Sequence, residues 1–235
     1  MQNELDSYLK NYTNFNSYLI HKRYQFFKQF FRGTHALEIG VGDATGTATL
    51  VTHFNHVTVV DGSTEAIKAI AHRYPSTSRH IQNFENLAFP EHTFFHTIIL
   101  AHVLEHVDDP HALLQRALSF LSPSGVLIVS VPNANSLHRQ IGVELKKIKN
   151  TTDLNETDLS LGHKRVYTQD EFIKEIFQLP LKPSAYKFGG MFLKVLSNDQ
   201  TEKTFNKPQL DAMFKVGVQN PSISADLFAL IKPEG

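Results

Sequence analysis

Two groups of residues in this sequence have the types and spacing to do chemistry. The first is Glu38-Ile-Gly-Val-Gly-Asp43, followed by Asp61. Gly40 and Gly42 let a backbone approach a nucleotide-type ligand closely and take up positive φ where a turn needs it. A dinucleotide fingerprint would carry a third glycine where Thr45 stands, with the next glycine only at Gly46. Glu38 precedes the first glycine by two residues. A carboxylate there opposes a pyrophosphate but suits an ammonium or sulfonium group, so the turn favours a cationic cofactor over NAD or FAD. Asp61 lies 21 residues after Gly40, where an acid can accept hydrogen bonds from ribose hydroxyls. The second group is His102, Glu105 and His106. On a helix their spacing would present metal ligands to one side, with Asp108 and Asp109 adding oxygens. The segment follows a strand end, so no metal ion is expected.

Cations form a looser group. His21, Lys22 and Arg23 precede the first strand and are placed to meet a cofactor carboxylate. Lys164, Arg165, Lys187 and Lys194 would hold an anionic substrate group, although a solvated basic face is the better reading.

Stepping outward, these residues sit on alternating strands and helices. His35–Ile39 is an apolar strand and Thr45–Phe54 a helix. Val57–Asp61 is a second strand and Ser63–Tyr74 a helix stopped by Pro75. Ser78–Gln82 is a short third strand. Phe94–Ala101 is nearly continuous in apolar residues, as a buried parallel strand should be. Asp109-Pro110 opens a helix to about Leu121. Ser122–Gly125 is predicted as a turn and Val126–Val131 as a fifth strand. Such alternation implies an α/β fold, a doubly wound, mostly parallel sheet with helices on both faces and ligands at the carboxyl ends of strands. Beyond it, helices are predicted for about Ser136–Lys149, from Thr168, and for Pro208–Val216. Ser184–Phe188 is predicted as a strand, Gly189-Gly190 as a turn and Ile223–Ile231 as an antiparallel strand at or beside the sheet edge. The chain reads as one domain, 1–235. Residues 1–33 form a helical cover rich in aromatics, with Leu5, Tyr8, Leu9 and Tyr12 at its start. Residues 34–132 form the cofactor-binding core, 133–167 a lid or insertion, and 168–235 the rest of the sheet.

Composition narrows the class. The chain has 235 residues, 41% of them hydrophobic, enough for one large domain. Lys+Arg and Asp+Glu both number 23, a balance that argues against a dedicated nucleic-acid binder. There is no cysteine, so thiolate chemistry and disulfides are excluded. No apolar run approaches a membrane span and the N-terminus carries no signal-peptide pattern, which gives a cytoplasmic location as the expectation.

Several of these stretches together resemble the class I S-adenosylmethionine-dependent methyltransferases. They are Glu38–Asp43, Asp61-Gly-Ser63, Leu87-Ala-Phe-Pro90, His102–Pro110, Leu121–Gly125 and Val131-Pro-Asn133, in register over about residues 35–135. Gly162-His-Lys-Arg-Val-Tyr-Thr168 resembles a segment of small-molecule members, quinone-type O-methyltransferases among them. The resemblance implies a Rossmann-like seven-stranded sheet with a helical lid and S-adenosylmethionine as cofactor. Glu38, Gly40 and Gly42 would line its methionine end. Asp61 would hold the ribose, with Gly62 and Ser63 beside the adenine. Asn83, Phe84 and Glu85 would flank the adenine ring, and Ala101 and His102 would face the methyl donor. The sequence departs from the family at Ala44, a usual glycine; at Asn83, a usual Asp; at His96, a usual Asp; and at Ser124, a usual glycine.

Methyl transfer from an activated sulfonium is mostly alignment, which can supply roughly 7–11 kcal/mol. An oxygen nucleophile also needs a base, for which His102, His106, His138 and His163 are candidates. His163 and His106 are the preferred pair. The resulting expectation is methyl transfer to an O or N atom of a small molecule, such as a sugar, quinone-like or natural-product intermediate, by a monomer or homodimer. RNA or protein methylation, an NAD-dependent oxidoreductase and a non-catalytic cofactor-binding subunit are the alternatives.

Overall fold

The computed structural model describes residues 14–233. The expectations for Leu5, Tyr8, Leu9 and Tyr12 lie outside the described residues.

The first helix, α1 (Asn14–Phe27), runs through a 3-10 turn into β1 (His35–Ile39). Then follow α2 (Thr45–Val51), β2 (His56–Asp61), α3 (Thr64–Arg73), β3 (Ser78–Ile81), β4 (Phe95–Ala101), α4 (Pro110–Ser119) and β5 (Leu121–Pro132). The second half holds α5 (Leu137–Glu144), α6 (Glu156–Ser160), α7 (Gln169–Phe177), β6 (Tyr186–Met191), α8 (Asn198–Thr204), α9 (Lys207–Gln219) and β7 (Asp226–Ile231). The strands form a seven-stranded sheet in the order β3-β2-β1-β4-β5-β7-β6. The first five pair in parallel, and β7 runs antiparallel to both β5 and β6. The expected doubly wound α/β sheet is therefore the observed one.

Local signals explain where the helices begin. Ser63 caps α3 by accepting from the Ala66 amide, and Asp109 caps α4 through Ala112 with Pro110 in the first turn. Thr168 with Glu171, and Asn206 with Gln209, form reciprocal capping boxes on α7 and α9. Two apolar clusters clamp the sheet. One packs Leu37, Ile98, Leu100 and Val129 under Leu113, Leu114 and Phe172. The other packs Ile99, Ile128 and Phe228 under Tyr24, Phe27, Leu50 and Ile70. Ile98 and Ile99 are fully buried, and truncating either to alanine costs about 2–5 kcal/mol.

The structure corrects several boundaries, each for a physical reason. Ser122–Gly125 is not a separate turn but an irregularity inside β5, where pairing shifts between Phe95↔Leu121 and Thr97↔Val126. Gly189-Gly190 is not a turn but the middle of β6. A Cβ on Gly189 would meet the Phe228 ring at 2.5 Å, and one on Gly190 would meet Ser224 Oγ at 2.0 Å, so the glycines permit close approach. The last strand begins at Asp226 and lies inside the sheet between β5 and β6, which accounts for its complete burial. The helix expected to reach Lys149 stops at Glu144, because Lys146 turns left-handed at φ 57° and Lys147 bonds back to Gly142. The helix after β1 ends at Val51 rather than Phe54. The short, polar helices α6 and α8 carry too little periodicity to be legible beforehand. Among the described residues no helix is long and apolar enough to cross a membrane.

Candidate active site

The turn after β1 is built by its own backbone. Gly40 has φ 79° and Gly42 φ 50°, both in the left-handed region. Gly40 donates its amide to Val60, tying the turn to β2. A Cβ there would sit 2.8 Å from Val103 Cγ2, so Gly40 is held by conformation and by contact with the loop after β4. Ala44, where the family has glycine, also has positive φ, 69°, at the start of α2. Gly46, not part of any expected contact, packs closely against Tyr24 of α1. A Cβ on it would meet the Tyr24 ring at 2.4 Å and Glu38 Oε1 at 2.6 Å.

Glu38 is almost fully buried, and both carboxylate oxygens accept from hydroxyls, Tyr24 Oη at 2.5 Å and Thr47 Oγ1 at 2.5 Å. Burial pushes its pKa up to about 7 although the two hydroxyl hydrogen bonds pull it down. Asp61 ends β2. Its Oδ2 accepts from the Val41 amide at 2.9 Å and its Oδ1 from the Ser63 amide at 2.8 Å, so it binds the turn and the α3 cap together. Burial raises its pKa, opposed by those backbone bonds. A carboxylate oxygen has a second lone pair, so each remains able to accept a ligand hydroxyl. Gly62 has open space beyond its Cα, the only contact being Gln82 O at 3.8 Å.

The expected adenine neighbours divide. Phe84 lies near Gly40, its Cζ 3.7 Å from where a Cβ would be. Asn83 caps the 3-10 turn Phe84–Asn86. Glu85 Oε1 accepts from the Asp108 amide at 2.9 Å, which gives it a structural tie to the loop after β4.

That loop begins beside the turn, because β1 and β4 are neighbours with Ile39 opposite Leu100. Ala101 ends β4. His102, with φ 59°, contacts Arg23 Nη2 at 2.8 Å, Asp226 Oδ1 at 3.3 Å and Glu105 Oε1 at 3.3 Å. Arg23, on α1, makes a two-point ion pair with Asp226 Oδ2 at 2.7 and 3.1 Å. Burial alone would raise the Asp226 pKa, but Arg23 and His102 hold it well below the usual carboxylate range. Arg23 therefore meets a protein carboxylate rather than a cofactor one. Lys22 pairs with Asp211, and His21 is exposed.

The insertion reaches the same place. The Lys164 amide donates to the Glu105 carbonyl at 2.8 Å, and Arg165 donates to the Leu104 and Val107 carbonyls. This clamp delivers His163 to His106, with ring centroids 4.8 Å apart and nearly perpendicular. His163 Nδ1 lies 3.1 Å from Asp158 Oδ1. Burial works against a charge on Asp158. Bonds from His163, the Asn155 backbone and Arg139 outweigh it and hold its pKa at about 2. Burial foremost lowers the His106 pKa. Glu105 O, His106 N and His163 N lie within 4.8 Å of one another.

The other candidates stand apart from this cluster. Lys164 pairs with Asp108, and Lys187 lies over the Phe30 ring. Lys194 is half-buried and donates to Asn198. His138, half-buried on α5, has its pKa lowered to about 2, chiefly by desolvation and then by Lys194 and Arg139. Tyr24 and Asp226 were not among the sequence candidates. One tyrosine among the aromatics of a helix and an acid opening a strand carry no local signal.

Comparison with known proteins agrees with this geometry. The chain is 30% identical over 105 residues to a ubiquinone biosynthesis O-methyltransferase of Xanthomonas euvesicatoria pv. vesicatoria, covering 43% of this chain and 44% of that protein. It is 33% identical over 105 residues to one of Xylella fastidiosa, covering 43% of each chain. The match thus spans less than half the length of these relatives. Among solved structures, the N-methyltransferase NodS of Bradyrhizobium japonicum bound to S-adenosyl-L-homocysteine superposes with a TM-score of 0.63 at 14% identity. That match covers 100% of this chain and 98% of that one. A possible histamine N-methyltransferase of Thermotoga maritima gives 0.65 at 17% identity, covering 99% and 100%. Both likenesses establish the fold. The methyltransferase domain family matches residues 10–178, and the chain belongs to that S-adenosylmethionine-dependent family.

Proposed function

We propose that this methyltransferase moves the methyl group of S-adenosylmethionine to an oxygen or nitrogen atom of a small molecule, a hydroxyl oxygen being favoured. The observation that carries the reading is the cluster of His102, Glu105, His106 and His163 at the end of β4, next to the Gly40 turn. Glu38, Gly40 and Gly42 serve the methionine end of the cofactor. Asp61 serves the ribose, Gly62 and Ser63 lie beside the adenine with Asn83, Phe84 and Glu85 flanking its ring, and Ala101 and His102 face the methyl donor. His163 and His106 face the acceptor. In the reaction the acceptor oxygen gives up its proton to an imidazole and bonds to the methyl carbon. The carbon–sulfur bond breaks, and S-adenosylhomocysteine leaves as a neutral thioether. The sulfonium needs no further activation, so positioning supplies most of the rate. Quinone-like phenols are the first acceptors to try, since the relatives named above methylate in ubiquinone biosynthesis.

The test is incubation with methyl-labelled S-adenosylmethionine and panels of phenols, sugars and amines, read by mass spectrometry. Label in a small molecule, falling at least 100-fold in His163→Ala, is expected. Label entering only RNA or protein would overturn the reading. Cofactor binding without turnover on any panel would favour a non-catalytic subunit.

A further inference from the structure

We infer that Glu105, His106 and His163 form a binding site for one divalent transition-metal ion, and that the ion holds the acceptor oxygen. The inference deepens the acceptor side of the function proposed above and rests on it only for that second clause. Three ligand atoms no more than 4.8 Å apart share a point roughly 2.8 Å from each, against about 2.1 Å for zinc–nitrogen bonds. Side-chain rotation of under about an ångström closes that gap.

Glu105 supplies an independent reason. It is fully buried, and neither carboxylate oxygen has a hydrogen-bond partner in the structure. Its contact with His102 Nδ1 at 3.3 Å is an ion-pair distance without hydrogen-bond geometry. A buried carboxylate left without donors is costly, and a bound cation removes the cost.

The surroundings have the form of a metal site's outer layer. Metal-binding imidazoles are held by a hydrogen bond at the other ring nitrogen. His163 Nδ1 is held by Asp158, which is itself fixed by Arg139 Nη1 at 2.9 Å and by the Asn155 amide at 3.0 Å. The His106 ring is hydrogen-bonded to the Gly162 backbone. The Lys164–Glu105 backbone bond and the Arg165 bonds keep the two contributing segments together. Two imidazoles and one carboxylate suit Zn2+, Mn2+, Fe2+ or Co2+ better than Mg2+ or Ca2+, which take mainly oxygen. Three protein ligands leave a position open, as in sites that bind substrate rather than sites that only brace a fold. With the ion bound, His106 and His163 hold it instead of taking the proton, and an acceptor hydroxyl on the open position would lose its proton to solvent more readily.

Calorimetric titration of chelator-stripped full-length protein with Zn2+, and separately with Mn2+ and Mg2+, tests this without any acceptor. One Zn2+ per chain at micromolar affinity or tighter is expected, weakened at least tenfold in Glu105→Gln and in His163→Ala, with Mg2+ far weaker. The exposed His56 and the partly exposed His35 and His96 rings also cluster, with His35 4.4 Å from His56 and 5.6 Å from His96, so His56→Ala is the control and should bind normally. S-adenosylhomocysteine affinity within twofold of the parent confirms that a variant is folded. If Glu105→Gln fails that check, His163→Ala decides, through the visible spectrum of bound Co2+. Absence of saturable Zn2+ binding, or binding lost in His56→Ala and kept in the other two, would overturn the assignment. Zn2+ binding with no labelled small molecule would instead overturn the functional reading and leave the site standing.

Discussion

The two halves of the candidate site are built differently. The cofactor half, Glu38 to Ser63, is made by consecutive pieces of chain around one turn. Its charges are held by groups close in sequence, Thr47 for Glu38 and the Val41 and Ser63 amides for Asp61. From outside, α1 reaches in twice, with Tyr24 on Glu38 and Ser17 on Asp43. The acceptor half draws on four distant segments: Arg23 from α1, His102–His106 after β4, Asp158–Arg165 from the insertion and Asp226 from β7. A local site is fixed once its turn forms. A distributed one exists only when the whole sheet and its cover are assembled, so its parts act on stability as well as chemistry.

The comparison breaks first at Asp226. Asp226→Ala leaves Arg23 buried beside His102 without its ion-pair partner, and should destabilise the protein by about 3–5 kcal/mol in denaturant unfolding. Loss of under 1 kcal/mol would mean that the acceptor half is not structurally integrated. Asp61→Ala removes an acceptor from two backbone amides and, in the proposed site, from the ribose. It should lower S-adenosylhomocysteine affinity at least 100-fold, about 3 kcal/mol, by calorimetry. Binding of Zn2+ at the other half should change less than twofold.

Glu38 sharpens the contrast through pH. Its folded pKa, about 7, lies above the ordinary glutamate value of 4.5, so the native state holds the extra proton between those two values. Stability should then fall as pH rises through that window, by on the order of 2–3 kcal/mol. Glu38→Gln should flatten the fall, as measured by urea unfolding at pH 5 and pH 8. The same ionisation should make cofactor affinity rise from pH 5.5 to 7.5, and the rise should vanish in the variant. The smallest effect belongs to Ala44. Ala44→Gly relieves a left-handed non-glycine residue and should stabilise by about 0.5–1 kcal/mol, raising the thermal midpoint slightly without altering the acceptor half.

Much of this was legible beforehand where the signal is local. The strand–turn–helix order, the caps at Ser63, Asp109 and Thr168, and the glycines at 40 and 42 each announce themselves within a few residues. What misled were residues whose reason lies elsewhere in the fold. Gly189 and Gly190 look like a turn because the side chains of Phe228 and Ser224 that press on them are some 34–39 positions away. The final strand gave no sign of lying inside the sheet, since β6 precedes it in sequence yet pairs outside it. Lys164 and Arg165 read as a solvated basic face, with an anion site as the alternative, but Asp108 and the Leu104 and Val107 carbonyls occupy them.

By itself the sequence determined the parallel core, the turn with its acid on either side, and the cofactor class that those charges suit. These follow from backbone freedom and charge within short stretches, which composition and spacing record directly. Only the tertiary structure decided that Arg23 would serve Asp226, that Tyr24 would cover Glu38, and that His163 would arrive beside His106 and the buried Glu105. Those contacts depend on how β7 and the insertion dock against the end of β4. Their energy comes from burial and pairing across long separations, for which no local pattern in the chain is required.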